Sequence, residues 1–334
     1  MVPNVRFTEL LTDIEPSPTT KTDASGAHTS VRDHLRCHVD FKDRWEGDFL
    51  AGSYARDTAI RPRKSEDGIE RPDVDIIVET NYSPATDKPE DVLQALCEVL
   101  EECFTVERVN KRSVRVVTSK AEIDVVPVVA QPYGYVLPDR DLENWKATNP
   151  PEHTEWSSRQ NEQFDGRFKR LVKLFKWWRR ENKTGKRPKG FVLEVLVALH
   201  APTNESHFGE AFAKMLENID AAYGALAKAG VKPLIPDPGL NNTGDILSKV
   251  SKTDWTNFID RVRVHADYAR RAQSSDDMAE ATRLWRKLFG PRFKETAQPA
   301  QATQLSSVTV APQAAKGYVF PNADASPTKP RGFA

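Results

Sequence analysis

The sequence predicts an α+β fold in which a sheet-containing part precedes a helical part. Between residues 28 and 138, short runs rich in β-branched residues alternate with stretches of helical periodicity. After about residue 150, apolar residues recur at helical spacing. The 334 residues are enough for two domains or one large bilobal domain. We therefore expect a flexible N-terminal arm (1–27), a sheet-containing core (28–150), a helical domain (151–295) and a disordered C-terminal tail (296–334).

The first half of the chain predicts its elements one after another. The arm is polar and rich in Pro and Thr, and apolar residues then recur at helical spacing from 29 to 45. A charged segment with Gly68 and two prolines, 61–72, is typical of a surface loop. A helix is expected over 90–103, and strands are expected at 48–51, 73–78, 114–117 and 123–129.

The second half is predicted to be mostly helical until its composition changes. From Gln298 onwards Ala, Gln, Ser, Thr and Pro dominate, so we expect a tail that cannot form a core, interrupted by one small apolar cluster at 318–320. Before it, the expected helices are 164–181, 191–200, 211–229, 245–250, 255–272 and 276–288.

Composition excludes some classes of function. Lys and Arg together number 48 and balance 48 Asp and Glu, so strong non-specific binding to nucleic acid is not expected. The three cysteines predict buried or half-buried thiols in a reducing cytosol, with a disulfide or metal role as the alternative. Neither a signal peptide nor a membrane-spanning apolar run is evident, so the sequence favours a soluble cytoplasmic protein without membrane contact.

Three aspartates carry the chemistry that the sequence predicts. On a strand, Asp73 and Asp75 point to one face, roughly 6–7 Å apart, which lets both carboxylates approach metal ions about 3.5–4 Å from each other. Asp124, from a later apolar strand, is expected to complete the cluster, and Glu122 on the same face competes for that role. Carboxylates and phosphate oxygens are the ligands that Mg²⁺ prefers. Taken alone, the two neighbouring aspartates are more typical of a strand that enters solvent, and the preceding Gly52-Ser53 and Thr58 shift the interpretation to a catalytic pair.

The pair Gly52-Ser53 precedes this strand and predicts a phosphate-binding turn. Glycine lets the backbone approach a phosphate closely, and serine offers a hydroxyl and an N–H. The alternative is an ordinary strand-to-helix turn in which Ser53 caps the helix. Thr58, five residues after Ser53, is included in the expected phosphate site.

Together these runs resemble the polymerase-β-like nucleotidyltransferases, and within them the bacterial cGAS/DncV-like nucleotidyltransferases (the CD-NTase or SMODS family). The resemblance covers roughly residues 28–290 and implies a sheet domain and a helical domain with a central active-site cleft. The residues that carry it are Gly52-Ser53-Tyr54-Ala55-Arg56-Asp57-Thr58, Asp73-Val74-Asp75-Ile76 and Ile123-Asp124-Val125-Val126-Pro127.

The helical half extends the resemblance. Residues 167–178 resemble the family's spine helix, whose lysine reaches the donor triphosphate; by motif position it is Lys176, with Lys173 one turn earlier. Independently of the family, these lysines lie on one basic stripe, which a solvated helix face would also show. Gly190-Phe191 stands where the family has a serine and an aromatic residue, so Phe191 is expected to stack on a base. The segment 237–242 resembles an Asp-Pro…Asn loop near the donor pocket, or is a plain loop.

The resemblance implies an enzyme that makes a cyclic di- or trinucleotide from nucleoside triphosphates (ATP, GTP or both), with two Mg²⁺ ions, or Mn²⁺ instead, held by Asp73, Asp75 and Asp124. Alternatives are a nucleotidyltransferase that modifies RNA, a small molecule or a protein, and a catalytically silent nucleotide-binding scaffold. The family also implies a role in antiphage defence (CBASS). The animal enzyme's zinc-binding insertion is missing, so no DNA activator is expected. A ubiquitin-transfer-like enzyme is an expected partner that would conjugate the tail through Ala334; the alternative is an unused end.

Overall fold

The computed structural model describes residues 1–62, 64–65, 68–182 and 188–295, with the backbone alone for 64–65 and 68–69. Residues Met1–Ala297 form one compact unit. The predicted boundary near residue 150 falls where the described strands end and a run of helices begins. Because both parts belong to one compact unit, their division into two domains stays a prediction. The tail predicted for 296–334, including the cluster at 318–320 and Ala334, lies outside the described residues.

A mixed sheet forms the first part. Its central strands are parallel, and every other pairing in the described sheet is antiparallel. The strands are β1 Trp45–Ala51, β2 Lys64–Ser65, β3 Gly68–Ile69, β4 Asp73–Thr80, β5 Thr105–Val109, β6 Val114–Val117, β7 Glu122–Gln131, β8 Gly134–Asp139 and β9 Asn144–Thr148. The order is β1-β4-β7-β6-β5, with β8 joining β7 to β9, while β2 and β3 pair separately.

Helices cover the sheet and form the second part. A single turn of 3₁₀ helix, Pro238–Leu240, follows α8. The α-helices are α1 Asn4–Ile14, α2 Pro18–Cys37, α3 Gly52–Ala55, α4 Pro89–Glu101, α5 Pro150–Gln163, α6 Phe168–Glu181, α7 Gly190–His200, α8 Phe208–Lys228, α9 Lys252–Ser274 and α10 Met278–Phe289. None of the described helices is long and apolar enough to cross a membrane.

The prediction of a flexible arm over residues 1–27 is wrong. The segment forms α1 and the first half of α2, and the apolar face of α1 is buried in the core of the helical part. Phe7 has no exposed surface, and its ring packs edge-on against Trp285 with centroids 4.9 Å apart. The face consists of Phe7, Leu10, Leu11 and Ile14, at the i, i+3, i+4, i+7 spacing of an amphipathic helix. This apolar pattern covers a single helix and is surrounded by polar residues, which is why the composition of residues 1–27 suggested a flexible arm.

Two further differences concern local chemistry. Residues 245–250, expected to be helical, form turns in which the Asp245 carboxylate accepts hydrogen bonds from the N–H groups of Ile235 and Leu247. Such side-chain bonds compete with helix formation. Helix α5 was not predicted because it buries little apolar surface, although Asn149 caps it and proline occupies its first turn.

Helix α6 lies at the centre of the helical part and positions the basic residues of interest. It is buried on nearly all sides from Leu171 to Trp178, so Lys173 and Lys176 are buried as well. Because long cations are rarely buried without partners, these lysines do not belong to a solvated face.

Candidate active site

The register of the two parallel strands brings the three aspartates together. Asp75 of β4 is paired with Asp124 of β7, and Asp73 is paired with Glu122 two residues earlier. All four side chains therefore share one face of the sheet. The alternating residues on the opposite face have no exposed surface: Val74, Ile76, Ile123 and Val125. This burial fixes the register, since a slip of one residue would exchange carboxylates and core side chains.

Asp124 is held by three side chains that the sequence analysis missed. Its Oδ1 accepts hydrogen bonds from Asn110 Nδ2 at 3.0 Å, Ser113 Oγ at 3.2 Å and Arg115 Nε at 3.2 Å. Glu122 instead accepts from the Arg115 guanidinium at 2.6 Å. Glu122 thus serves as an anchor for the arginine.

Burial and mutual repulsion raise the pKa of two of these carboxylates. Burial, followed by repulsion from Asp73 and Asp124, raises the pKa of Asp75 to about 7. Burial also raises the pKa of Asp73, although the nearby Arg115 opposes this. Carboxylates forced together in this way are stabilised by a divalent cation, and oxygen donors of this kind suit Mg²⁺. Among the described residues, however, no three acidic, His or Cys side chains already surround a common metal position.

Gly52 is required by its contact with Asp75. It opens the short helix α3 directly after β1, with φ at +66°, a conformation that favours glycine. A Cβ atom at this position would lie 1.8 Å from Oδ2 of Asp75. Ser53 follows it at the wall of a cavity of about 480 Å³ that also contains Asp73 and Asp75. The turn therefore places the predicted phosphate-binding residues against the carboxylate cluster.

A buried polar network forms another wall of this cleft. The Nζ atom of Lys176 donates to Thr58 Oγ1 at 2.9 Å and to Glu194 Oε1 at 2.8 Å, and Arg56 Nε donates to Glu194 Oε2 at 2.9 Å. Glu194 and Thr58 have no exposed surface. Burial alone would raise the pKa of Glu194, but ion pairs with Lys176 and Arg56 outweigh it and lower that pKa to about 2. Burial lowers the pKa of Lys176 despite this pairing. The Glu194 carboxylate, with its low pKa, stays ionised at neutral pH.

The remaining predicted residues differ in where the structure places them. Lys173 is brought to α1 and to the segment after α3, where its Nζ donates to Glu15 at 2.8 Å and Asp57 at 3.2 Å. This geometry does not match the predicted phosphate contact. Lys176 does line the cleft. Thr58 also borders it, but its hydroxyl is occupied by Lys176 and Glu194.

Phe191 lies in the first turn of α7. The Arg56 guanidinium lies over its ring, with Cζ 5.1 Å from the ring centroid. The ring borders both the cleft and a neighbouring cavity of about 310 Å³. Asp237 lines that second cavity, accepts from His153 at 2.8 Å and caps the 3₁₀ turn. Gly190 precedes Phe191, and a Cβ there would meet Lys176 Cε at 3.2 Å. A serine at this position would crowd the lysine, which gives a physical reason for the glycine.

Comparisons with known proteins show the family of the chain. Residues 1–161 match a family described as the Second Messenger Oligonucleotide or Dinucleotide Synthetase (SMODS) domain. A cyclic AMP-AMP-AMP synthase from an Acinetobacter species is 42% identical, over 100% of this chain and 98% of the relative. The chain belongs to the SMODS family of CD-NTases. It is therefore a nucleotidyltransferase of the cyclic oligonucleotide synthase type, as its sequence predicted.

Solved CD-NTase structures confirm the expected fold. CdnC of E. coli MS115-1, solved with ATP, has a TM-score of 0.69 at 19% identity and covers 88% of this chain and 99% of its own. The Bradyrhizobium diazoefficiens CD-NTase CdnG, solved with GTP, has a TM-score of 0.71 at 17% identity and covers 86% and 94%. The polymerase-β-like arrangement of sheet and helices in the SMODS chain is thus shared with proteins that bind nucleoside triphosphates.

Proposed function

We propose that this protein joins nucleoside triphosphates into a cyclic oligonucleotide with release of pyrophosphate, and that Mg²⁺ supports the reaction. The name of the Acinetobacter relative favours cyclic AMP-AMP-AMP, and hence ATP, as product and substrate. The observation that carries the proposal is the pairing of Asp75 with Asp124, beside Asp73 and directly against the Gly52-Ser53 turn. In the proposal, this arrangement would hold cations and phosphate next to each other.

Asp73, Asp75 and Asp124 would hold two Mg²⁺ ions, or Mn²⁺ in their place. When bound, these ions supply positive charge that lowers the pKa of an acceptor ribose hydroxyl and stabilises the departing pyrophosphate. In the proposal, Asp124 orients the attacking hydroxyl or accepts its proton. Asn110 and Ser113 fix the orientation of that carboxylate through their hydrogen bonds.

The other walls of the cleft would hold the donor nucleotide. Ser53 offers a hydroxyl and a backbone N–H to phosphate oxygens. Lys176 supplies positive charge at the cleft wall, where it lies only 7% exposed. Phe191 borders two cavities, and a base that stacks on its ring would share the ring with Arg56 or replace that guanidinium. Catalysis of this kind depends on positioning and electrostatics rather than on a covalent enzyme intermediate.

The test is incubation of the purified protein with each α-labelled nucleoside triphosphate and Mg²⁺, followed by phosphatase treatment and mass spectrometry. Phosphatase-resistant cyclic products support the proposal, and their mass gives base composition and ring size. A labelled RNA or protein would instead support a modifying enzyme, and absence of turnover would support a nucleotide-binding scaffold. The matched control is the double variant Asp73→Asn, Asp75→Asn, which keeps the side-chain size and should make no product.

We further propose that the product acts in antiphage signalling in the cytoplasm, where nucleoside triphosphates are available, without a DNA activator. The tail is proposed to be the site at which a ubiquitin-transfer-like enzyme conjugates the protein through Ala334. The support is the family membership together with the small residues Gly332 and Ala334 in the last four positions of the sequence.

A further inference from the structure

We propose that Arg115 is a positioning residue that holds the catalytic carboxylates in the metal-free protein and competes with divalent cations for them. The inference rests on the proposed metal-dependent function and adds to it a residue that sets the affinity for the ions. Arg115 stands on β6 directly opposite Asp124 of β7. Its side chain is only 12% exposed, so the guanidinium is held within the site rather than in solvent.

The guanidinium engages the carboxylates with all of its nitrogen atoms. Nε donates to Asp124 Oδ1 at 3.2 Å, and one terminal nitrogen bridges Asp73 Oδ1, at 2.9 Å, and Asp124 Oδ2. The bridge joins two of the three proposed metal ligands. Because Arg115 contacts both oxygens of Asp124 and one oxygen of Asp73, a cation held by these two carboxylates would compete with the arginine.

Glu122 would keep Arg115 at the site when the arginine loses its contacts with Asp73 and Asp124. The other terminal nitrogen of Arg115 donates to Glu122 Oε2 at 2.6 Å. Glu122 is outside the proposed ligand set, so its carboxylate stays available when ions bind. We infer that Arg115 keeps its contact with Glu122 and releases Asp73 and Asp124 as the ions enter. This explains why acidic side chains that share one face do not yet surround a common metal position among the described residues.

The experiment is a titration of the nucleotide-free, full-length protein with Mn²⁺ alone, followed by electron paramagnetic resonance. Arg115→Met removes the competing charge and should lower the Kd for Mn²⁺ by at least roughly tenfold, because a cation within a few Å of the ions opposes their binding. Arg115→Lys keeps the charge but loses the planar fork, so its Kd should fall between the two. Arg36→Met, an exposed arginine of α2 paired with Asp33, loses the same charge elsewhere and should match the wild type.

A second measurement separates this role from simple bracing of the strands. The rise in Tm between EDTA and saturating Mn²⁺ should be larger for Arg115→Met than for the wild type, because repulsion among the carboxylates is relieved only by the ion. A folded Arg115→Met variant with unchanged or weaker Mn²⁺ affinity would overturn the proposal. If that variant does not fold, Arg115→Lys decides: tighter binding than wild type supports the proposal, and equal binding overturns it. Absence of Mn²⁺ binding in both wild type and variants would overturn the metal cluster itself.

Discussion

At the scale of one residue, the carboxyl of Asp75 lowers the stability of the folded protein. Its carboxyl is half-buried against Gly52, and the pKa of about 7 lies well above the usual value of an aspartate. A carboxyl whose folded pKa is raised destabilises the protein increasingly as pH rises from about 4 to 7, and the penalty is constant above that range. This carboxylate therefore lowers the stability of the metal-free protein at neutral pH.

We predict that Asp75→Asn stabilises the metal-free protein by on the order of 2–4 kcal/mol above pH 7, while abolishing synthesis. The gain should fade as pH falls from 7 to below about 4, because the wild-type carboxyl is then protonated in both the folded and the unfolded state. Urea unfolding at several pH values in EDTA measures it. The exposed Asp260, paired with Arg263, provides the control variant Asp260→Asn. Stability curves that run parallel for wild type and Asp75→Asn would contradict the argument.

Gly52 gives a second prediction at this scale. Gly52→Ala should abolish synthesis and lower the Tm, because the new Cβ would lie 1.8 Å from the Asp75 carboxylate and because φ is +66°. In the control Gly26→Ala, the Cβ meets no atom within 4 Å. That variant should keep full activity and gain slightly in stability, since alanine is favoured within a helix. Retained synthesis in Gly52→Ala would show that the turn is not held against the cluster.

At the scale of elements, Glu194 joins α7 to α6 and to the segment that follows α3. Its pKa of about 2 means that the ionised form stabilises the fold above the unfolded pKa near 4.5 and loses this contribution as pH falls toward 2. Glu194→Gln also leaves Arg56 and Lys176 buried without their countercharge. We expect a loss of about 3–5 kcal/mol at pH 7.

The pH dependence distinguishes this charge effect from a packing defect. The stability difference between wild type and Glu194→Gln should shrink by about 2 kcal/mol between pH 7 and pH 3 in chemical unfolding experiments. Glu217→Gln, which breaks a more exposed pair with Arg270, should cost less than about 1 kcal/mol at pH 7. A Glu194→Gln deficit of equal size at both pH values would assign the loss to packing alone.

Helix α1 carries the second prediction for an element. Phe7→Ala should cost about 3–5 kcal/mol, because a fully buried ring surrounded by aromatic side chains is removed. The matched control is Val5→Ala in the same helix, where the side chain is 51% exposed. Thermal and urea unfolding of both variants provide the comparison. Equal stability of the two variants would show that α1 does not contribute to the core.

The same elements show which parts of the structure could be predicted from the sequence. The strands bearing Asp73, Asp75 and Asp124 were predictable because alternation and flanking β-branched residues are local signals. The partners of Glu194 could not be predicted. Arg56 lies 138 positions away in the sequence, and a single glutamate in an apolar helix does not indicate which cations pair with it. Arg115 offered a weak signal, a charge within the valine-rich strand β6, but its contact with Asp73 spans 42 positions.

At the scale of the whole molecule, the prediction concerns the tail. Deletion of 317–334 should leave synthesis by the purified enzyme unchanged, because no proposed catalytic or nucleotide-binding residue lies there. Any high-molecular-weight adduct of the protein in cells should disappear with the deletion, as judged by immunoblotting. The full-length Asp73→Asn, Asp75→Asn variant is the control, since it should keep the adduct while making no product. Loss of synthesis on deletion would place the tail in the active site.

The burial of α1 against α10 has a consequence for the order in which the protein forms during translation. The amino group of Met1 donates to the carbonyl of Ser275 at 2.9 Å, and Arg292 pairs with Asp13 at 3.0 Å. Helix α1 thus acquires part of its neighbourhood only after nearly the whole described chain has been synthesised. Domains generally fold as units while synthesis proceeds. Until then Phe7 lacks its contact with Trp285, and this part of the apolar face of α1 stays accessible to chaperones on the nascent chain.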